Sequence, residues 1–320
     1  MKKMKMIVAA LMLLTTAAAL GQSKVYMTKE ITPESLVKIY KALGVEAKGR
    51  VAVKISTGEG GNTHYLKPTL IRQLVDEVNG TIVECCTAYP GTRMDPKNHW
   101  KTIHEHGFDS IFAVDLMDEF GQIRIPIQDK KHLKYDIVGE HLANYDFMIN
   151  LAHFKGHAMG GFGGVLKNAS IGVASTAGKC YIHTAGKTDD PQLAWGPEYL
   201  AVGKTQDDFL ESMAAAAQAV HNYFSGKVIY INVMNNMSVD CDCDGHPAKP
   251  ELQDMGIMAS LDPVALDQAC LDKVFNYQGK PGDDNKPLIE RINRQHGTYI
   301  TDYAEQIGFG SKKYILINID

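Results

Sequence analysis

Side chains able to do chemistry are concentrated in the segment HFKGHAMGGFGGVLKNASIG, which runs from residue 153 to 172. His153, Lys155 and His157 alternate at its start, so an extended backbone would turn all three toward one side. Lys167 is suited to bind an anion or, once removed from water, to act as a base or nucleophile. Glycines let the backbone approach a ligand closely. The segment predicts a ligand-binding or catalytic loop, and a solvated glycine loop is the alternative.

A second cluster lies in DCDCDGHPAKPE, residues 240–251. Cys241, Cys243 and His246 are soft ligands suited to zinc or iron, and alternate residues of an extended loop would present both thiolates to one metal. The segment also has the spacing of a calcium loop. Its oxygen ligands would be Asp240, Asp242, Asp244 and Glu251, with Gly245 at the turn. An exposed acidic turn with incidental thiols is the third interpretation.

Strands that alternate with helices are predicted to position both clusters. The buried strands are predicted at VAVKI (51–55), TIVEC (81–85), DFMINLA (146–152) and KVIYINVM (227–234). This alternation indicates an α/β fold, with a mostly parallel sheet built from βαβ units and helices on both faces. Ligands bind such sheets beyond the carboxyl ends of the strands. The loops after residues 55, 85, 151 and 234 are therefore expected to form the site.

The remaining elements follow from local signals. Pro68 and Pro263 are predicted as first helical residues, with Asp262 as the N-cap of the second helix. Further helices are predicted at 97–107, 138–145 and 207–224, and extended segments at 111–114, 122–127, 255–260 and 314–319. Pro126 cannot donate a ladder hydrogen bond, which predicts an edge strand at 122–127. Residues 173–205 show no regular pattern.

The amino terminus has the features of a secretory signal peptide. Three lysines precede the apolar stretch from Met6 to Leu20, and a small-residue cleavage site follows at residue 21. The stretch is shorter than a membrane span, and so is every later apolar run. We expect cleavage after residue 21 and export to the periplasm or the extracellular space. Residues 22–320 are predicted to form one α/β domain, or two lobes that meet near 150–205.

Charge limits the partners of this chain. The formal net charge is −4, and loss of the signal segment, with its three lysines and no acidic residue, makes it −7. A negative protein is not expected to bind nucleic acid or an anionic membrane surface. Six cysteines in a chain of this length do not make a disulfide framework. A small molecule is therefore the expected partner.

Three blocks of the sequence resemble one protein family. They are NLAHFKGHAMGGFGGVLKNASIG, CDCDGHPAKPELQDMGIMAS and LDPVALDQACLD. Together with the earlier block ECCTAYPGTRMDPKNHWKTIHEHGF, they are similar to the family called domain of unknown function 362, or "iron–sulfur centre protein". The resemblance implies an α/β fold. It also marks Gly163, Gly164, Lys167, Asn168, Cys241, Cys243, Asp254, Asp262 and Asp267 as the family-like positions.

Two further implications concern cofactors. Many family members carry a ferredoxin-like four-cysteine insert after the glycine block, whereas this chain has only Cys180 there, so no ferredoxin-type cluster is expected. The glycine block also distantly resembles that of the nickel-pincer lactate racemases. That resemblance implies Lys167 as the cofactor attachment site and His157 or His183 as acid or base.

The sequence therefore predicts a metal-dependent enzyme, an oxidoreductase or isomerase, that acts on a small anionic molecule. Its metal would be zinc, iron or nickel, bound by the ligands named above. The predicted ligand-binding residues are His153, Lys155, Gly163, Gly164, Asn168, Asp254, Asp262 and Asp267. Two alternatives remain open: a non-catalytic periplasmic protein that binds a metal or ligand, and a structural protein stabilised by calcium.

Overall fold

The computed structural model describes residues 22–196 and 205–320. The predicted signal peptide lies outside the described residues. The strands are β1 (Ser23–Thr28), β2 (Val51–Lys54), β3 (Gly80–Glu84), β4 (Val114–Leu116), β5 (Gln122–Pro126), β6 (Tyr135–Gly139), β7 (Phe147–His153), β8 (Lys155–His157), β9 (Gly161–Gly163), β10 (Val228–Met234), β11 (Gly256–Ser260) and β12 (Tyr314–Asn318).

The helices alternate with these strands along the chain. They are α1 (Pro33–Ala42), α2 (Pro68–Glu77), α3 (Pro96–Glu105), α4 (Val165–Ser170), α5 (Thr176–His183), α6 (Gln206–Tyr223), α7 (Pro263–Phe275), α8 (Lys286–Arg294) and α9 (Tyr299–Gln306). A 3-10 helix covers Glu140–Asn144. Within the described ranges, no helix is long and apolar enough to cross a membrane.

The central sheet has eight strands in the order β12-β1-β11-β10-β7-β2-β3-β4. Strand β11 runs antiparallel to both neighbours, and the other pairings are parallel. Alternate side chains of β7 enter different cores. Phe147, Ile149 and Leu151 pack with α1, α2 and α3, whereas Met148 and Ala152 face α4, α6 and α7. The predicted fold, mostly parallel with helices on both faces, is confirmed.

Several local predictions need correction. The segment 111–114 was expected to be extended, but residues 111 and 112 lie in a turn and β4 begins at Val114. The helix expected at 138–145 is the short 3-10 helix. The irregular region after residue 173 contains α5, whose N-cap is Ser175. Strand β5 does form an edge, because it pairs with β6 in a separate two-stranded sheet.

The carboxyl ends of β2, β3, β7 and β10 meet at one edge of the sheet. After β7 the chain enters the β8–β9 hairpin, which leads directly into α4. Gly156 in this hairpin lies so close to the Val239 carbonyl that a Cβ atom would collide with it. A glycine at this position therefore lets the loop after β10 pack against β8, and this contact brings the two predicted clusters together.

Candidate active site

A cavity of about 470 Å³ opens at the carboxyl edge of the sheet. Its walls come from the ends of β2 and β3, the β8–β9 hairpin, α4, α5 and the loop after β10. Ten of the residues predicted for catalysis, ligand binding or a soft metal line it: His153, Lys155, His157, Gly163, Gly164, Lys167, Asn168, His183, Cys241 and Cys243. Asp240, Asp244 and Gly245 of the calcium pattern line it as well. The volume suits a small molecule. The cavity therefore lies beyond the carboxyl ends of the strands, where the sequence predicted the site.

One wall of the cavity is built on a buried carboxylate, Asp242, which is 1% exposed. Its Oδ2 is 2.7 Å from Lys155 Nζ, and its Oδ1 is 2.8 Å from His153 Nδ1. Burial alone raises the pKa of this carboxyl, but His153 and Lys155 outweigh it and hold the pKa well below its usual range. Asp242 is thus fully engaged by two protein partners. Its predicted role as a metal ligand would therefore require one of these two contacts to break.

Lys167 and the two cysteines face the same cavity. The Nζ atom of Lys167 lies 3.5 Å from the Sγ atom of Cys241, and Cys241 is 5% exposed. The hydrogen bond from Cys243 lowers the pKa of Cys241 despite burial, and Lys167 and Lys155 lower it further. The bond to Cys241 and burial raise the pKa of Cys243. The two thiols therefore titrate as one coupled pair beside the Lys167 ammonium group.

Helix α4 is fixed in this position by Asp267 of α7. The carboxylate of Asp267 accepts hydrogen bonds from the backbone N–H groups of Val165 and Leu166, both at 3.0 Å, and from Asn232 at 2.7 Å. A Cβ atom on Gly164 would collide with this carboxylate. Burial raises the pKa of Asp267 to about 6. Asp267 was predicted to bind ligand, but it anchors the helix that carries Lys167 and does not line the cavity.

His157 presents a protonated Nε2. Its Nδ1 accepts hydrogen bonds from the backbone N–H groups of Gly160, at 2.8 Å, and Met159, at 3.3 Å. Burial, followed by the neighbouring Lys167 and His183, lowers the pKa of His157 well below its usual value. The ring is therefore neutral at pH 7. Since Nδ1 is an acceptor, the single ring proton is on Nε2.

His183 is the opposite tautomer when it is neutral. Its Nδ1 lies 2.7 Å from the Lys179 carbonyl oxygen, which only accepts, so this nitrogen carries the proton and Nε2 carries the lone pair. The ring stacks on Phe209, with centroids 4.7 Å apart, and also contacts Trp195. In their neutral forms, the two imidazoles that line the cavity are thus opposite tautomers.

Asn168 was predicted to bind ligand, and its side-chain amide is largely engaged within the protein. Its Nδ2 donates to the Lys54 carbonyl, at 3.0 Å, and to Asn150 Oδ1, at 2.7 Å. Its Oδ1 accepts from Lys54 Nζ at 3.3 Å. Asn168 therefore ties α4 to the end of β2 and to the middle of β7, and it positions the Lys54 ammonium group.

Three further predicted residues lie outside the cavity lining. His246 is exposed, and its backbone N–H is bonded to Asp244. Asp254 is exposed and accepts from the Asn236 N–H, which makes it a loop brace. Asp262 is the N-cap of α7, as its position before Pro263 predicted, and accepts from the Val264 and Ala265 N–H groups. The structure therefore does not bring these three residues to the cavity, and their roles in metal or ligand binding stay predictions.

The donor set for a soft metal consists of the two sulfurs. Within the described residues, His157, Cys241 and Cys243 offer ligand atoms within 4.8 Å of one another. The two thiols fit a thiophilic cation such as zinc, iron or nickel. His157 would join them only by giving up its Nδ1 hydrogen bonds or its Nε2 proton. The structure therefore pairs Cys241 and Cys243 and puts a buried histidine from the β8–β9 hairpin, not His246, beside them.

The aspartates of the calcium pattern do not converge. Asp240 lies 3.1 Å from Arg291 and also accepts from the Ala248 N–H, whereas Asp242 binds His153 and Lys155. Asp244 accepts from the His246 N–H. Calcium requires several oxygens around one point. This arrangement does not support the calcium interpretation.

Charged residues that were not singled out from the sequence also line the cavity: Lys54, Glu59, Glu84, Arg93 and Lys179. Glu84 is their centre, with Arg93 Nη1 at 2.9 Å and His99 Nε2 at 3.1 Å. Burial raises the pKa of Glu84, but Arg93 and His99 outweigh it and lower this pKa strongly. A signal was present in the sequence, because Lys54 and Glu84 are charged residues at the ends of buried strands.

A family profile described as "Domain of unknown function (DUF362)" matches residues 51–272. The chain belongs to this family. The matched range includes the β8–β9 hairpin, α4, the Cys241 loop and Asp267. The DUF362 assignment confirms the resemblance carried by the three sequence blocks, and the family description names no activity. No curated protein matches the chain.

Solved structures show a weak similarity to this DUF362 chain. A crystal structure of a Thermotoga maritima protein has a TM-score of 0.40 at 16% identity, covering 64% of this chain and 50% of that one. The lactate racemase apoprotein from Thermoanaerobacterium thermosaccharolyticum has a TM-score of 0.40 at 14% identity, covering 66% of this chain and 50% of that one. The chain therefore spans about half the length of these proteins.

Proposed function

We propose that this DUF362 chain is a metal-dependent enzyme that transfers protons to and from a small anionic molecule in the cavity. The observation that carries the proposal is the convergence of Lys167, Cys241, Cys243, His157 and His183 on one enclosed space. Perturbed titratable groups that meet in a cleft are typical of catalytic sites. Of the two reaction classes left open by the sequence, isomerisation is favoured over oxidoreduction by the opposite tautomers of the two histidines.

The histidines supply a base and an acid. In this proposal His183 accepts a proton from a bound substrate, and the Nε2–H of His157 returns one. Burial keeps His157 neutral, so it does not repel the lysines around it. An isomerase that removes a proton and replaces it elsewhere needs such a pair.

Cys241 and Cys243 would hold the metal, and Lys167 would neutralise the extra charge of their sulfurs. A soft divalent cation bound there would supply Lewis-acid polarisation of a substrate oxygen. Lys167 lies 3.5 Å from Cys241, so its ammonium group compensates a thiolate that is removed from water. Burial tends to lower the pKa of Lys167, but Cys241, Cys243 and Asp242 outweigh it and raise this pKa, so in this proposal the lysine stays charged and does not serve as the base.

We further propose that the mature protein acts outside the cytoplasm. Support comes from the three lysines, the apolar stretch from Met6 to Leu20 and the small residues before Gln22. The mass of the protein recovered from the periplasm or medium tests this. A mature chain that begins at residue 22 is expected, and an intact amino terminus on cytoplasmic protein would contradict it.

The activity test is hydrogen exchange into a substrate. Metal-loaded protein is incubated in D₂O with a panel of small carboxylic and phosphorylated acids, and exchange of carbon-bound hydrogen is followed by NMR. We expect exchange with at least one acid and a loss of about 10²-fold or more in His183→Gln. The matched control is His246→Gln, which should exchange normally. Saturable binding without any exchange would instead support a non-catalytic binding protein.

A further inference from the structure

Two buried lysines line the cavity beside α4 without a carboxylate partner. Lys54, at the end of β2, is 1% exposed, and Lys179, in α5, is 6% exposed. The Nζ atom of Lys54 donates to the Ile55 carbonyl and to Asn168 Oδ1, and that of Lys179 to the Ala174 carbonyl at 2.5 Å. Within the described residues, neither forms an ion pair within 4.0 Å.

The acids around these lysines are engaged elsewhere. Glu84 is bound by Arg93, His99 and Thr57. Asp118 accepts from the backbone N–H groups of Cys86 and Thr176. Asp136 is fully buried, and burial raises its pKa to about 7 although Lys179 opposes this. No acid is therefore in contact with either ammonium group.

Buried ammonium groups without counter-charges are unfavourable, and perturbed titratable groups that line a cleft are candidates for a functional site. The two lysines also oppose each other. Burial lowers the pKa of Lys54 to about 8, Glu84 partly offsets this, and Lys179 lowers it further. Beside them, burial keeps the Cys85 thiol neutral by raising its pKa. A neutral thiol does not repel an approaching anion, so this end of the cavity is complementary to negative charge.

We propose that Lys54 and Lys179 form the anion subsite of the cavity and bind the carboxylate or phosphate group of the ligand between them. The rest of the ligand extends along Gly163 and Gly164 toward Lys167 and Cys241. This deepens the proposed function and rests on it only for the chemistry at the far end. Anion binding itself requires neither a metal nor turnover. The substrate class is then a small acid whose charged group is remote from its reacting carbon.

The test uses the whole mature protein, stripped of metal with a chelator, and two probes, inorganic phosphate and succinate. Calorimetric titration gives each affinity, and the tighter probe identifies the charged group. In Lys179→Met we expect the affinity for the preferred probe to fall by about tenfold or more, because a charge-assisted hydrogen bond is lost. Lys179→Arg should bind within a few-fold of wild type. The exposed Lys130→Met is the surface control and should bind normally.

The fold of each variant is checked by its unfolding midpoint without anion, because Lys54→Met is a second test only if the protein folds. Equal affinity in Lys179→Met and Lys179→Arg would overturn the subsite, as would the absence of binding of both probes to wild type. Loss of binding in Lys179→Met without any hydrogen exchange by metal-loaded wild type would keep the subsite and reject the proposed reaction. Hydrogen exchange by wild type, together with unaltered anion binding in Lys179→Met, would keep the proposed reaction and reject the subsite.

Discussion

Two walls of the cavity treat buried charge in opposite ways. In the Asp242 cluster, which consists of His153, Lys155 and Asp242, both carboxylate oxygens meet a cationic or donor partner. In the lysine pair, Lys54 and Lys179, each ammonium group meets only neutral oxygens. Both walls are almost inaccessible to solvent. We therefore assign the paired charges of the Asp242 cluster to the stability of the fold and the unpaired charges of Lys54 and Lys179 to ligand binding.

The comparison predicts its largest effect at Asp242. Asp242→Asn leaves Lys155 buried without its counter-charge and should cost about 3–5 kcal/mol of the free energy of unfolding, as for other broken buried pairs. Denaturant unfolding measures it. The control is Asp254→Asn, at an exposed carboxylate that braces one N–H group. A loss below about 1 kcal/mol at Asp242 would mean that its wall is not held by this pair.

At the lysine pair, by contrast, removing a positive charge should stabilise the fold, so raising the pH should increase the free energy of unfolding. Lys54 has a folded pKa of about 8 against an ordinary value of 10.5, so the unfolded chain binds more protons between these values. The free energy of unfolding of wild type should therefore rise relative to Lys54→Met between pH 8 and 10.5. The upper bound on this rise is about 3 kcal/mol.

Parallel pH dependences of unfolding in the two proteins would contradict the unpaired state of Lys54. Anion affinity should also fall above pH 8 in wild type, because the neutral amine no longer attracts the ligand. The charged or titratable groups that act on the Lys54 ammonium group are Glu84, Arg93, Cys85 and Lys179. All four are present in both wild type and Lys54→Met. The difference between wild type and Lys54→Met therefore isolates Lys54.

The smallest effect is expected at His246. His246→Ala removes an exposed side chain, and it should change the unfolding free energy by less than about 0.5 kcal/mol. Its metal content should equal that of wild type. A metal content reduced by half or more would restore His246 as a ligand and would require the Cys241 loop to rearrange on binding.

The general position of the site could be predicted from the sequence. Buried strands followed by polar loops fix where the carboxyl edge of a parallel sheet lies, and Lys167, Cys241 and Cys243 come from those loops. Alternation also predicted that His153, Lys155 and His157 face one side, and all three line the cavity. These inferences depend on backbone periodicity, which the sequence carries directly.

The division between structural and binding residues could not be predicted in the same way. Asp242 and Asp267 are carboxylates of the kind that bind ligands. However, Asp242 contacts Lys155 and Asp267 contacts the amino end of α4, and both partners are distant along the chain. His246 adjoins the cysteines in sequence, whereas His157 reaches them through the packing of Gly156 against Val239. Which acceptors a buried side chain meets is a tertiary property, so spacing alone does not reveal it.

The central claim is that Cys241 and Cys243 form one soft-metal site beside Lys167. It is tested most directly by the metal-to-protein ratio of protein purified from its native cells, compared among wild type, Cys241→Ser, Cys243→Ser and His246→Ala. We predict about one zinc, iron or nickel ion per chain in wild type and His246→Ala, and a loss of most of it in both serine variants. Metal retained in the serine variants, or wild type that takes up no metal on titration, would contradict the claim.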